Sequence, residues 1–187
     1  LRGLGYDDRV VTLPVAAPGL MPNALLALAV AHDFGIAPAA AITALAAFRP
    51  LPHRMMLRTA GDVEIIDDCY NANPESMAVA LEALRLRRAR RRLAVLGDMR
   101  ELGTHAAAAH RELGERAAPI VDHLYLIGEE AATVAAGAQA AGLSSSSITV
   151  IAERVELAAR VVACLAPGDL VLVKASRALE LEHVVTA

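Results

Sequence analysis

The chain has 187 residues, a formal net charge of −3, and a composition that is 56% hydrophobic but only 3% aromatic. That length suits one domain, or one domain plus a neighbouring piece, with a core built from small aliphatic side chains. The charge gives no electrostatic case for binding nucleic acid, and no run of about 18 uninterrupted apolar residues marks a membrane span.

The opening Leu1-Arg2-Gly3-Leu4-Gly5 resembles neither a signal peptide nor a natural start, and reads as a cut from a longer chain. Residues 10–15 read as a short strand. Pro22-Asn23 opens an apolar helix reaching about Phe34, with Gly35 as its stop. A second helix is predicted over 38–48. Residues 49–54, Arg-Pro-Leu-Pro-His-Arg, then form a proline-punctuated linker. Two helices and one strand cannot enclose a core. Residues 1–53 are therefore expected to be the tail of a preceding domain, and 54–187 a domain of their own.

Past the linker, 55–59 and 63–67 flank Ala60-Gly61-Asp62, a hairpin signal. Short aliphatic strands at 93–96, 124–127, 148–151 and 170–173 alternate with helices over 74–88, 105–118, 129–141 and 153–165. A last helix covers 178–185, and the four serines 144–147 read as a surface loop. Continuous apolar strands between amphipathic helices predict an α/β, Rossmann-like, mostly parallel sheet with helices on both faces and right-handed crossovers.

Cys69 and Cys164 suggest neither a disulfide framework nor a zinc site; free thiols in a reducing cytoplasm are the plain expectation. The arginines between Arg85 and Arg92 fit a solvated helix end better than a phosphate patch. No Gly-x-x-x-x-Gly-Lys-Ser/Thr phosphate loop and no Gly-x-Gly-x-x-Gly fingerprint after a strand occurs in the sequence.

Ligands of such sheets sit beyond the carboxyl ends of the strands, so the polar strand-to-helix turns matter most. The first runs from Asp67-Asp68 through Tyr70, Asn71 and Asn73 to Pro74 and Ser76. Asn73 and Pro74 suit a helix start, while a carboxylate at a strand end suits a ribose diol. Adjacent strand residues face opposite sides, so only one of the two Asp side chains can meet a given ligand. The second turn is Gly97-Asp98-Met99-Arg100-Glu101-Leu102-Gly103, followed by His110. Here Asp98 and Glu101 either cap the following helix or bind a cation or basic group, and His110 is either a packed residue or a catalytic one. The third is Lys174-Ala175-Ser176-Arg177, in which the only lysine of the chain ends a buried strand, a pattern that suits an anion site.

Read in order, these turns resemble the Mur ligase family of ATP-dependent peptide ligases. The segment 65–77 (Ile-Ile-Asp-Asp-Cys-Tyr-Asn-Ala-Asn-Pro-Glu-Ser-Met) looks like the branch that adds D-alanyl-D-alanine, and 97–103 with His110 and 168–177 match two further motifs. Glu182 fits an acidic residue that follows them, and Asn23-Ala24 and Arg54 fit elements near the end of the family's central domain. Four departures stand out. Ala17-Pro18-Gly19 occupies the positions of a Gly-Arg-His element, and Pro52-His53-Arg54 replaces Pro-Gly-Arg. Ala175 replaces a glycine and Leu181 a common methionine.

The resemblance implies that ATP phosphorylates the terminal carboxylate of a UDP-N-acetylmuramoyl-tripeptide. The amine of D-alanyl-D-alanine then attacks the acyl phosphate, releasing phosphate. It places Asp68, Asn71 and Asn73 on the ribose or adenine side of ATP, with Asn23 and Arg54 on the nucleotide from the central domain and Arg54 near phosphate. Lys174, Arg177 and His110 become candidate catalytic groups. Lys174, Ser176 and Arg177 would hold the dipeptide or the peptide carboxylate, and Asp98, Glu101 and His110 would line the closing cleft. Most Mg2+ ligands and the triphosphate site would belong to the central domain, which together with the N-terminal domain would be the partner of this part; none is expected here. A related ligase with another acceptor, or a non-catalytic Rossmann-like binding module, are the alternatives.

Overall fold

The structure, a computed structural model, describes residues 4–7, 9–11 and 18–187. Among them the first strand is β1 (Met56–Ala60), paired antiparallel to β2 (Val63–Asp67) through a turn with Gly61 at φ 58°. Then follow α3 (Pro74–Leu86), β3 (Arg91–Gly97), α4 (Ala106–Ala117), β4 (His123–Ile127), α5 (Ala131–Ala140), β5 (Ile148–Ile151), α6 (Arg154–Cys164), β6 (Asp169–Lys174) and α7 (Glu182–Thr186). The six strands form one sheet in the order β1-β2-β6-β3-β4-β5, parallel except for β1. The predicted fold class is thus the observed one.

Alternation along each strand builds two layers. Ile66, Ala94, Leu96, Leu124, Leu126, Leu170 and Leu172 pack under α3, α4 and α5, while Ile65, Leu93, Val95, Tyr125, Val171 and Val173 pack against α6 and α7. Small residues let α4 and α5 touch: a Cβ on Gly114 would lie 2.0 Å from the Val134 carbonyl oxygen, and one on Gly137 2.1 Å from that of Arg111. Both positions therefore require glycine.

Ahead of the sheet lie α1 (Met21–Asp33) and α2 (Pro38–Ala46), each with proline in its first turn. Tyr6, Leu28 and Ala41 form a small cluster of their own there, while Leu20 and Val79 join the main core. Much of α1 remains uncovered, with Met21, Leu25, Leu26 and Val30 exposed. Of the strand expected at 10–15, residues 10 and 11 form no strand and 12–15 lie outside the described residues.

One other expectation is corrected. The last helix is not continuous: a 3-10 turn at Arg177–Leu179 ends on Glu180 in the left-handed region, at φ 45°, before α7 starts. The serine loop contains a 3-10 turn, Ser145–Ser147, capped by the Ser144 hydroxyl. The arginine run lies at the amino edge of the sheet, with several members matched to internal partners. Arg87 meets Glu64, Arg91 holds Asp169 through two nitrogens, and Arg92 donates to the Leu84 and Arg87 carbonyls. No helix among the described residues is long and apolar enough to cross a membrane.

Candidate functional site

The turn after β2 sets the site. Asp67 and Asp68 point to opposite sides of the sheet, as their adjacency requires, and both grip the linker that precedes β1. Asp67 takes hydrogen bonds from the His53 ring, 3.0 Å from Nδ1, and from Arg58 Nε at 2.8 Å. Asp68 Oδ1 accepts from the Met55 backbone N–H at 3.0 Å. His53 and Met55 stand at φ 60° and 50°, a left-handed conformation costing roughly 1–2 kcal/mol for a side-chain-bearing residue. The two carboxylates hold those strained residues on either side of Arg54, whose guanidinium stacks 4.0 Å from the centre of the Tyr70 ring.

Downstream, Asn73 caps α3 with a reciprocal box: its Oδ1 accepts from Ser76 N at 2.8 Å and its own N–H donates to Ser76 Oγ at 3.1 Å. The segment 70–73 is thereby fixed at the mouth of the sheet, with Tyr70, Asn71 and Asn73 exposed.

Lys174 closes the end of β6, and here the geometry departs from the expected free anion site. The side chain is buried, with its Nζ 2.5 Å from Asp68 Oδ2 and 2.9 Å from the Asn71 carbonyl oxygen. Burial pushes the Asp68 carboxyl up and the Lys174 ammonium down, and each charge opposes the shift of the other. Two of the three ammonium donors are occupied, and the remaining one belongs to a residue that still lines the adjoining cavity.

That cavity measures about 500 Å³ and lies between the start of α1, the linker and the turn after β2. Asn23, Arg54, Asp68, Asn71, Asn73 and Lys174 all line it. A second cavity of about 440 Å³ lies across the 70–73 segment, bordered by Arg100, Glu101, Ser176 and Arg177. Ser176 is buried and its hydroxyl caps the following turn, while Arg177 pairs with Glu182 at 2.8 Å. Glu101 is exposed in the left-handed region, at φ 65°.

Asp98 and His110 border neither cavity. The Asp98 carboxylate is buried and accepts from the Glu129 and Glu130 N–H groups, at 2.9 and 3.0 Å, at the start of α5. It caps a helix, but not the one that follows it in sequence. His110 is buried too; its Nε2 accepts from Met99 N at 2.9 Å and its Nδ1 lies 2.8 Å from the Ala106 carbonyl oxygen. Both residues fix the second turn rather than line a cleft, which corrects the expectation for each. Sequence reading missed Arg100 at the second cavity and the stacking partner Tyr70; their exposure on a turn was the available signal. Burial, reinforced by the Asp67 charge, pushes the Cys69 thiol far above its usual range, which disfavours a free thiolate nucleophile there.

A mostly parallel sheet with polar cavities at its carboxyl edge places this domain in the class of open α/β folds, whose ligands sit beyond the carboxyl ends of the strands. The chain belongs to the Mur ligase family: the family model described as "Mur ligase, glutamate ligase domain" matches residues 53–177. The UDP-N-acetylmuramoyl-tripeptide–D-alanyl-D-alanine ligase of Mycobacterium bovis is 38% identical over 95% of this chain, and that of Bacillus subtilis 32% identical over 92%. A crystal structure of MurF ligase from Thermotoga maritima in complex with ADP superposes with a TM-score of 0.77 at 32% identity, covering 91% of this chain and 38% of that one. The chain spans 39% of the Mycobacterium bovis protein and 38% of the Bacillus subtilis protein.

Proposed function

We propose that this chain supplies the carboxyl-terminal part of an ATP-dependent ligase that joins D-alanyl-D-alanine to a UDP-N-acetylmuramoyl-tripeptide in the cytoplasm. The convergence of Asn23, Arg54, Asp68, Asn71, Asn73 and Lys174 on one cavity carries the reading. In it, residues 1–53 are the tail of a central ATP-binding domain and 54–187 the carboxyl-terminal domain.

The donor set fits a nucleotide. Asp68 keeps carboxylate lone pairs for a ribose hydroxyl beyond those used by Met55 and Lys174. Asn23, Asn71 and Asn73 bring amides that both donate and accept. Arg54, held by its strained neighbours, offers a fork to phosphate. ATP supplies the phosphoryl group that activates the tripeptide carboxylate. Asp68 is the one carboxylate among the cavity-lining residues, so Mg2+ ligands belong to the remainder of the enzyme.

Across the 70–73 segment, Arg177, Arg100, Ser176 and Glu101 line the cavity suited to the peptide substrates: guanidiniums for a carboxylate, Glu101 for an amine. Lys174 acts from between the two cavities by holding the turn that separates them. Asp98 and His110 act as positioning residues, since they fix the loop that carries Arg100 and Glu101.

The test is phosphate release that depends on both the tripeptide precursor and D-alanyl-D-alanine. The 187-residue chain alone, which carries no phosphate loop, is expected to give none. The longer polypeptide with the preceding domains is expected to turn over, and Arg54→Ala in it to raise the KM for ATP. Turnover with another acceptor in place of D-alanyl-D-alanine, or indifference to Arg54→Ala, overturns the reading.

A further inference from the structure

On the far side of the Arg54–Tyr70 stack, His53, Asp67 and Cys69 bring three different ligand types together. Their ligating atoms all lie within 4.8 Å of one another. The separations are 3.6 Å for His53 Nδ1 to Cys69 Sγ, 3.2 Å for Cys69 Sγ to Asp67 Oδ1, and 3.1 Å for His53 Nδ1 to Asp67 Oδ1. Bond lengths of about 2.3 Å for zinc–sulfur and about 2.0–2.2 Å for zinc–nitrogen and zinc–oxygen give a tetrahedral face with edges of about 3.4–3.6 Å. The observed triangle is slightly smaller than that face, and three side chains can open to it with small rotations.

Two further observations point to a ligand. Glu182 shares a cavity of about 400 Å³ with His53, and its Oε2 is buried without a hydrogen-bond partner, although its Oε1 pairs with Arg177. Such an acceptor is costly unless something meets it. His53 also stands in the left-handed region, where a glycine is free of strain, and its ring reaches straight to Asp67 and Cys69.

We propose that His53, Asp67 and Cys69 bind one borderline-soft divalent cation of the Zn2+ type, with Glu182 or a water molecule in the fourth position. On binding, the Cys69 thiol loses its proton to solvent and the sulfur becomes the anionic ligand. The His53 proton moves to Nε2, so that Nδ1 presents its lone pair. Arg58 stays on Asp67 Oδ2 and leaves Oδ1 for the metal. The ion ties the linker to the end of β2 and to the start of α7, which fixes the backbone that aims Arg54. Hydrogen bonds alone also join the three side chains, and the experiment separates the two arrangements.

Co2+ is titrated into the metal-free 187-residue chain and the absorption followed. A four-coordinate thiolate site gives a sulfur-to-cobalt charge-transfer band in the near-ultraviolet and intense visible bands, bleached when Zn2+ is added in equal amount. Cys69→Ser, which leaves Cys164 in place, is expected to lose the charge-transfer band. His53→Gly is expected to fold, since glycine suits the left-handed backbone, and to weaken Co2+ binding at least about tenfold, the size found for loss of even an outer partner of a ligand. No charge-transfer band in the wild-type chain, a band that survives Cys69→Ser, or binding undiminished in His53→Gly each overturns the site.

Discussion

The turn after β2 and the turn after β3 look alike in sequence: each ends a buried strand, carries Asp and Asn or Glu, and precedes a helix. They differ in where their polar groups go. After β3, Asp98 faces the backbone N–H groups that open α5, and His110 bridges Met99 to Ala106. After β2, the Asp pair holds the linker, while Asn71, Asn73 and Tyr70 remain exposed beside a cavity. A polar turn at a sheet edge is thus a site only to the extent that its hydrogen-bonding groups are left over once the backbone has been satisfied.

The Lys174–Asp68 pair joins the first turn to the end of β6, and breaking it gives the largest expected effect. Lys174→Met leaves a buried carboxylate uncompensated and should lower unfolding stability by about 3–5 kcal/mol. Adding Asp68→Leu to it should recover much of the loss, as read by urea midpoints in a double-mutant cycle. Independent, additive effects of the two changes would mean that the pair does not form.

The second turn should answer with stability alone. Asp98→Ala removes two charge-assisted bonds to the start of α5 and is expected to cost about 2–4 kcal/mol. Affinity for nucleotide, measured well below the melting temperature, should stay within about twofold. A large loss of nucleotide binding in a stably folded Asp98→Ala chain would erase the contrast between the turns.

A smaller effect sharpens the comparison from the opposite edge of the sheet. Burial pushes the Asp169 carboxyl up, but hydrogen bonds from Arg91 and the Ala166 N–H, with the Arg91 charge, outweigh it and hold the group below its ordinary 3.8. The stability this contributes is complete above the unfolded value of 3.8 and is lost as the pH falls through the lower folded value. Arg91→Met should cost about 1–2 kcal/mol at neutral pH, because Arg91 is partly exposed, and the difference from wild type should vanish in acid. A difference independent of pH would exclude the ion pair as its origin.

Arg54→Ala should change stability least, within about 0.5 kcal/mol, because the side chain is exposed and stacks only on Tyr70. Its effect should fall on nucleotide affinity instead.

The sheet was legible because its strands are unbroken aliphatic runs bounded by glycine or charge, and the hairpin because Gly61 marks its turn. The start of β3 was not, since Arg91 and Arg92 read as loop until their guanidiniums find Asp169 and the Leu84 carbonyl. The break in the final helix at Glu180 carries no glycine to announce it. At the site, Asp68 was legible as a position on a polar turn, whereas Asn23 and Arg54 entered only through the family resemblance. The uses of Asp98 and Lys174 were not, because their partners lie 31 and 106 residues away in sequence. Whether a polar group is free depends on such distant partners, and local pattern does not carry that information.

The most direct test is a titration of the isotope-labelled chain with ADP or ATP at millimolar concentration, followed by amide and side-chain NMR shifts. Saturable shifts should cluster at Arg54, Met55 and the 68–76 segment and diminish in Arg54→Ala. Shifts centred on 97–103 and the start of α5, or none at all, would contradict a nucleotide half-site at the turn after β2.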